Sequence, residues 1–182
     1  MISLEPEIPN RVRPALFASH VGAPHLVLLV RGEGIGERSN NYQKDDPMAS
    51  IRKEIETTAL PDDVWAAIRD IGALHTRLVP GFVIATRLES DARVVTFANG
   101  MEVREPIVDL DDAARRLVWS AEGAGTTHYN ASVQVVDGVG CASRVVWVAD
   151  FLPHNKKGQI EVMMEQGMNV MKKTLDKLNS SK

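Results

Sequence analysis

Apolar and polar residues alternate over 51–58, and the segment is rich in β-branched side chains, which predicts a first strand. Leu60-Pro61-Asp62-Asp63 then opens a helix. Proline is tolerated in a first turn, and acids there suit the helix dipole. Val64, Trp65, Ile68 and Ile71 form its apolar stripe, and Gly72 is the expected stop. Residues 73–79 read as a second short helix closed by Pro80-Gly81. Six strand-like segments follow, at 82–89, 93–98, 101–110, 116–122, 127–136 and 142–152. Ser90-Asp91, Asn99-Gly100, Asp111-Asp112, 123–125 and 137–140 separate them, and Asn-Gly is the strongest hairpin signal of the set. Connections this short imply antiparallel neighbours, because parallel pairing needs long crossovers.

Pro153 closes the last strand, and a long helix is expected over 157–178. Ile160, Met163, Met164, Gly167, Met168, Met171, Leu175 and Leu178 recur at helical spacing, with Glu161, Glu165, Lys172, Lys173 and Lys177 on the other face. At 1.5 Å per residue such a helix spans roughly 30 Å, enough to cross a small sheet. The predicted class is α+β: a curved antiparallel sheet of six to seven strands wrapped around the C-terminal helix, with two short helices after the first strand.

Residues 1–47 have a different texture. Pro6, Pro9, Pro14 and Pro24 interrupt helices, Gly32, Gly34 and Gly36 follow, and a polar run leads to Pro47. A poorly ordered N-terminal extension is expected there, with a domain over 48–182. An alternative is that the natural start is Met48 and the preceding stretch an over-extended reading frame.

Composition narrows the function classes. The chain of 182 residues is 44% hydrophobic and 25% charged, with a net charge of −3. That balance offers no basic field for nucleic acid or an anionic membrane. The single cysteine, Cys141, has no partner for an internal disulfide, which fits a reducing compartment, and no apolar run approaches a membrane span. A cytoplasmic location is expected. The five histidines show no ligand spacing, so no metal is expected, and no phosphate loop or dinucleotide fingerprint calls for a cofactor.

Candidate chemistry is sparse. Glu105 sits mid-strand between Val103 and Ile107, and strand alternation puts all three on one face. An acid facing an apolar cavity is costly unless paired or protonated, so Glu105 is a candidate general acid, base or ligand anchor. The bland alternative is an ion pair at the cavity rim, with Arg87 or Arg104 as candidate partner, although strand parity puts Arg104 on the outer face. Tyr129, Ala131, Val133 and Val135 form the apolar face of their strand, which would bring the Tyr129 hydroxyl to the interior. Met163, Met164, Met168 and Met171 form a flexible helix face that suits varied apolar ligands, though ordinary core packing explains any one of them. Gly167, costly inside a helix by roughly 1 kcal/mol, points to a close approach by a ligand or the sheet.

This order of elements resembles the SRPBCC superfamily, which includes START lipid-transfer domains, the birch-pollen allergen group, plant abscisic-acid receptors and bacterial polyketide cyclase/dehydrase-like proteins. The resemblance is carried by Ile55-Glu56-Thr57-Thr58-Ala59-Leu60-Pro61-Asp62-Asp63-Val64-Trp65, by Val103-Arg104-Glu105-Pro106-Ile107-Val108-Asp109-Leu110-Asp111 with Arg115-Arg116-Leu117-Val118-Trp119, and by His128-Tyr129-Asn130-Ala131-Ser132-Val133. Arg144-Val145-Val146-Trp147 and Asp150-Phe151-Leu152-Pro153 complete it. It covers about residues 50–179. It implies a helix-grip fold with a deep ligand cavity and no universal catalytic motif. It further implies an acid at the position of Glu105 in the pocket wall, His75 near the cavity mouth, and Phe82 and Trp147 among the lining residues. The expected partner is a small apolar molecule, held by a carrier or sensor. The alternatives are a cyclase- or dehydratase-like enzyme using a pocket acid, and a ligand-gated regulatory protein with an apolar rim around 78–82. A homodimer is left open.

Overall fold

Strand β1 (Ala49–Thr57) buries Ala49, Ile51 and Thr57 on one face and turns Ser50, Arg52 and Glu56 to solvent. The computed structural model describes residues 47–140 and 142–179; the expectations for 1–46, including the extension and its alternative start, and those for Cys141, lie outside the described residues. Helix α1 (Pro61–Ile68) begins at the proline, with Asp62 and Asp63 in its first turn. It buries Val64, Trp65, Ala67 and Ile68. It ends at Ile68, before the expected stop at Gly72, because the chain turns there through Asp70 and Ala73 to a wider π-helical turn, Leu74–Leu78.

Six further strands follow: β2 (Val83–Leu88), β3 (Ala92–Phe97), β4 (Glu102–Asp111), β5 (Arg116–Ser120), β6 (His128–Asp137) and β7 (Ser143–Leu152). They pair antiparallel in the order β1-β7-β6-β5-β4-β3-β2, so one long-range step joins β1 to β7 and the rest is a meander. A single 3-10 turn, His154–Lys156, leads into α2 (Lys157–Asn179). The curved sheet holds α2 against its concave face, which is the helix-grip arrangement. Met164, Met168, Met171 and Leu175 are buried there with Phe151, Val145 and Ala149 of β7. No helix among the described residues is long and apolar enough to cross a membrane.

Two irregularities decide which side chains face inward. The β3–β4 connection is a three-residue loop: Phe97 N–H donates to the Met101 carbonyl and Gly100 takes φ +84°. The register therefore sets Arg93 opposite Glu105. In β4 the pairing with β5 shifts between Ile107 and Asp109, a bulge that leaves Val108 exposed. Beyond it Leu110, rather than Asp109, packs against the core, so plain alternation fails at this point.

Candidate functional site

Between the sheet and α2 lies a cavity of about 110 Å³, several times the roughly 10–15 Å³ that one water needs. It has room for several waters or a small organic molecule. Its wall is mostly apolar, with Leu78, Phe82, Phe97, Leu117, Trp119 and Met164 among the contributors. A few polar side chains interrupt it: Arg93, Glu105, Tyr129, Lys156, Gln159 and the Trp147 indole.

The polar groups follow from sheet register. Arg93 pairs with Glu105, the Arg104–Glu122 and Ile107–Trp119 pairs set Ala121 opposite Glu105, and Ala121 N–H reaches the Tyr129 carbonyl. Tyr129 in turn pairs with Phe151. Arg93, Glu105, Ala121 just past β5, Tyr129 and Phe151 therefore form one row across the sheet. With strands about 4.8 Å apart, the small Ala121 leaves a notch between the acid and the phenol.

Arg93 and Glu105 make a buried ion pair, Nε to Oε2 at 2.7 Å, with side-chain exposures of 3% and 11%. The guanidinium also lies over the Trp119 ring, 5.5 Å from its centroid. Trp119 and Trp147 sit side by side with ring centroids 6.0 Å apart. Among the described residues, buried Arg93 Nη1 and Trp147 Nε1 have no hydrogen-bond partner. The Tyr129 hydroxyl also makes no hydrogen bond among the described residues. Burial, and secondarily the charge of Glu105, push the Tyr129 phenol well above its ordinary value, so it stays a neutral O–H donor.

Of the ten residues singled out from sequence, seven stand in the cavity wall: Glu105, Tyr129, Val103, Phe82, Trp147, Met164 and Met171. Three do not. Ile107 packs against the core beside the bulge. His75 is turned to Thr86, its Nδ1 3.2 Å from Oγ1, and is not in the wall. Met168 is buried at 3% exposure but belongs to the core. Helix geometry explains the last case. At about 100° per residue, Met168 and Leu175 lie roughly 40° and 20° to one side of Met164, while Ile160, Gly167 and Met163 lie roughly 40°, 60° and 100° to the other. The second flank faces the cavity.

The partner of Glu105 is Arg93, not the candidates Arg87 or Arg104, and Arg104 lies on the outer face as strand parity has it. Arg87 bonds Glu89, and Arg104 is held outside the sheet by Glu89, Asp91 and Glu122. The rim at 78–82 is not an exposed apolar patch, since Leu78 and Val79 are buried and Phe82 is half-buried. At Gly167 the close approach is by aromatic rings: a β-carbon there would stand 3.1 Å from Phe82 Cε1 and 3.2 Å from Trp147 Cζ3. Among the described residues no group of three or more His, Cys, Asp or Glu side chains could hold a metal ion.

The sequence matches the family model described as polyketide cyclase / dehydrase and lipid transport over residues 48–181. The chain belongs to this family. No curated protein sequence matches it. Solved structures show the family fold more widely. The protein XoxI from Bacillus cereus is 18% identical with a TM-score of 0.63, covering 72% of this chain and 98% of its own. A Thermobifida fusca protein is 26% identical with a TM-score of 0.59, covering 71% and 94%. Norcoclaurine synthase from Thalictrum flavum is 20% identical with a TM-score of 0.61, covering 88% and 100%. In this polyketide cyclase / dehydrase and lipid transport domain the cavity thus lies where the helix-grip fold leaves space between sheet and helix.

Proposed function

We propose that this domain, over residues 48–182, binds a small, mainly apolar organic molecule in the cavity between the sheet and α2, as a carrier or sensor. The observation that carries this reading is an apolar cavity of about 110 Å³ with a single row of polar groups at Arg93, Glu105 and Tyr129. An apolar pocket with few placed polar groups is the usual form of a small-molecule site. Membership of a family described by polyketide chemistry and lipid transport supports it. So does a structure of norcoclaurine synthase, 22% identical, in complex with dopamine and hydroxybenzaldehyde, both small aromatic compounds. Native mass spectrometry of the purified protein tests for a co-purified molecule, and titration with an apolar fluorescent probe tests the cavity. Ala124 lines the cavity from the loop between β5 and β6. Ala124→Trp is expected to leave the melting temperature within a few degrees and weaken probe binding tenfold or more. Unchanged binding would place the probe outside this cavity.

A second reading is an enzyme, favoured by Glu105 and Tyr129 standing on either side of Ala121 in one row of the cavity wall. There Glu105→Gln would abolish turnover of a co-purified substrate with little change in affinity, whereas in a carrier it changes affinity alone.

A further inference from the structure

Thioethers are concentrated in the cavity wall, and they differ sharply in access. Met101, Met163, Met164 and Met171 all line it. Met164 and Met171 are 1% and 5% exposed, whereas Met101 and Met163 are partly open to solvent. Met163 and Met164 are neighbours in sequence, but a turn of about 100° puts one on an open part of the helix surface and the other on a sealed part. Met101 is pinned through its backbone: its N–H donates to Asn99 Oδ1 at 3.0 Å, and its carbonyl accepts from Phe97 N–H at 2.8 Å. The two accessible thioethers thus come from separate elements, the residue before β4 and the second turn of α2, and border one cavity.

A thioether is the soft, oxidisable side chain of an apolar wall. Its reaction with a hydroperoxide is a two-electron oxygen transfer. The sulfur lone pair attacks one peroxide oxygen, and a sulfur–oxygen bond forms as the oxygen–oxygen bond breaks. The proton passes from the transferred oxygen to the departing one, which leaves as water or an alcohol. The product is a sulfoxide, strongly polar where the wall was apolar. We propose that Met101 and Met163 are peroxide-sensitive modification sites whose oxidation lowers the affinity of the cavity for apolar molecules. The sites follow from access and position; the effect on affinity rests on the small-molecule reading above. Met164, Met168 and Met171 are sealed, so the packed flank of α2 is spared. Enzymatic reduction of the sulfoxides makes the switch reversible.

The full chain is treated with graded hydrogen peroxide, mapped by peptide mass spectrometry, melted, and titrated with the neutral probe N-phenyl-1-naphthylamine. Met101 and Met163 are expected to oxidise about tenfold or more faster than Met164, Met168 and Met171. With both oxidised, the melting temperature should stay within a few degrees and probe affinity should fall about fivefold or more. Methionine sulfoxide reductases of both stereospecificities should restore it. Met48 is 56% exposed and outside the wall, so its oxidation serves as an internal control. The double variant Met101→Leu/Met163→Leu retains Met48. Whatever its starting affinity, the same treatment should change it by less than about twofold. If the double variant does not fold, each single variant should lose less affinity than wild type on treatment, and an undiminished loss in both overturns the proposal. Equal oxidation of Met163 and Met164 overturns the selective access. Unchanged affinity with both sulfoxides formed overturns the switch while the cavity reading stands. A full loss in the double variant overturns it too. Absence of probe binding to untreated protein removes the cavity reading and the switch with it.

Discussion

Arg93→Met is expected to destabilise the domain by about 3–5 kcal/mol, because it strands the Glu105 carboxylate in an apolar wall. The double variant Arg93→Met/Glu105→Leu should recover most of that loss, since a buried ion pair replaced by apolar groups of similar volume is often neutral in stability. The strong coupling follows from position: the two residues face each other across β3 and β4, both nearly inaccessible. Urea unfolding of wild type, both single variants and the double gives the coupling energy directly. A single variant within about 1 kcal/mol of wild type would mean that water in the cavity screens the pair as it does at a surface.

Met168→Asp is expected to unfold the domain or nearly so. Met168 is 3% exposed in the core flank of α2, and a side chain of its size contributes roughly 1.5–3 kcal/mol by burial. The variant loses that and places an unpaired charge in its stead, against a typical margin of about 5–15 kcal/mol. Met163, on the cavity flank and half-exposed, provides the contrast. Met163→Asp should stay folded and lose affinity for an apolar probe. Far-ultraviolet circular dichroism and a thermal melt distinguish the two. A well-folded Met168→Asp protein would show that α2 sits rotated from the orientation described.

The meander of β2 to β7, the α+β class and the apolar stripe of α2 are legible because they follow from periodicity and short connections. Alternation in β6 places Tyr129, Ala131, Val133 and Val135 inward, as the structure does. The failures come from single-residue events that periodicity does not register. A two-residue Asn99-Gly100 turn would have set Val94 opposite Glu105. The three-residue loop sets Arg93 there instead, and with it the ion pair and the donor left over. The bulge in β4 likewise ends simple alternation just where Ile107 was expected in the site. Met168 falls on the core flank for a different reason. A helix stripe broad enough to face both a core and a cavity divides between them by a few tens of degrees, and only the packed orientation of α2 settles that division. Arg93 carries one weak signal in the sequence, as the one charged residue of β3, next to Val94 and Val95.

The aromatic pair in the cavity wall also gives the domain a built-in optical readout. The chain has three tryptophans. Trp65 lies outside the cavity wall, its indole N–H donating to Asp112 Oδ1 at 2.8 Å. Trp119 and Trp147 both border the cavity, their rings tilted 45° to each other at 6.0 Å. Indoles this close couple their electronic transitions, and a fixed tilt makes the coupled pair chiral. Near-ultraviolet circular dichroism therefore carries a signature of this pair, and an occupant that slides against it alters both that signature and the emission of two of the three indoles. Occupancy can be followed on the unlabelled protein, with Trp65 as the internal reference.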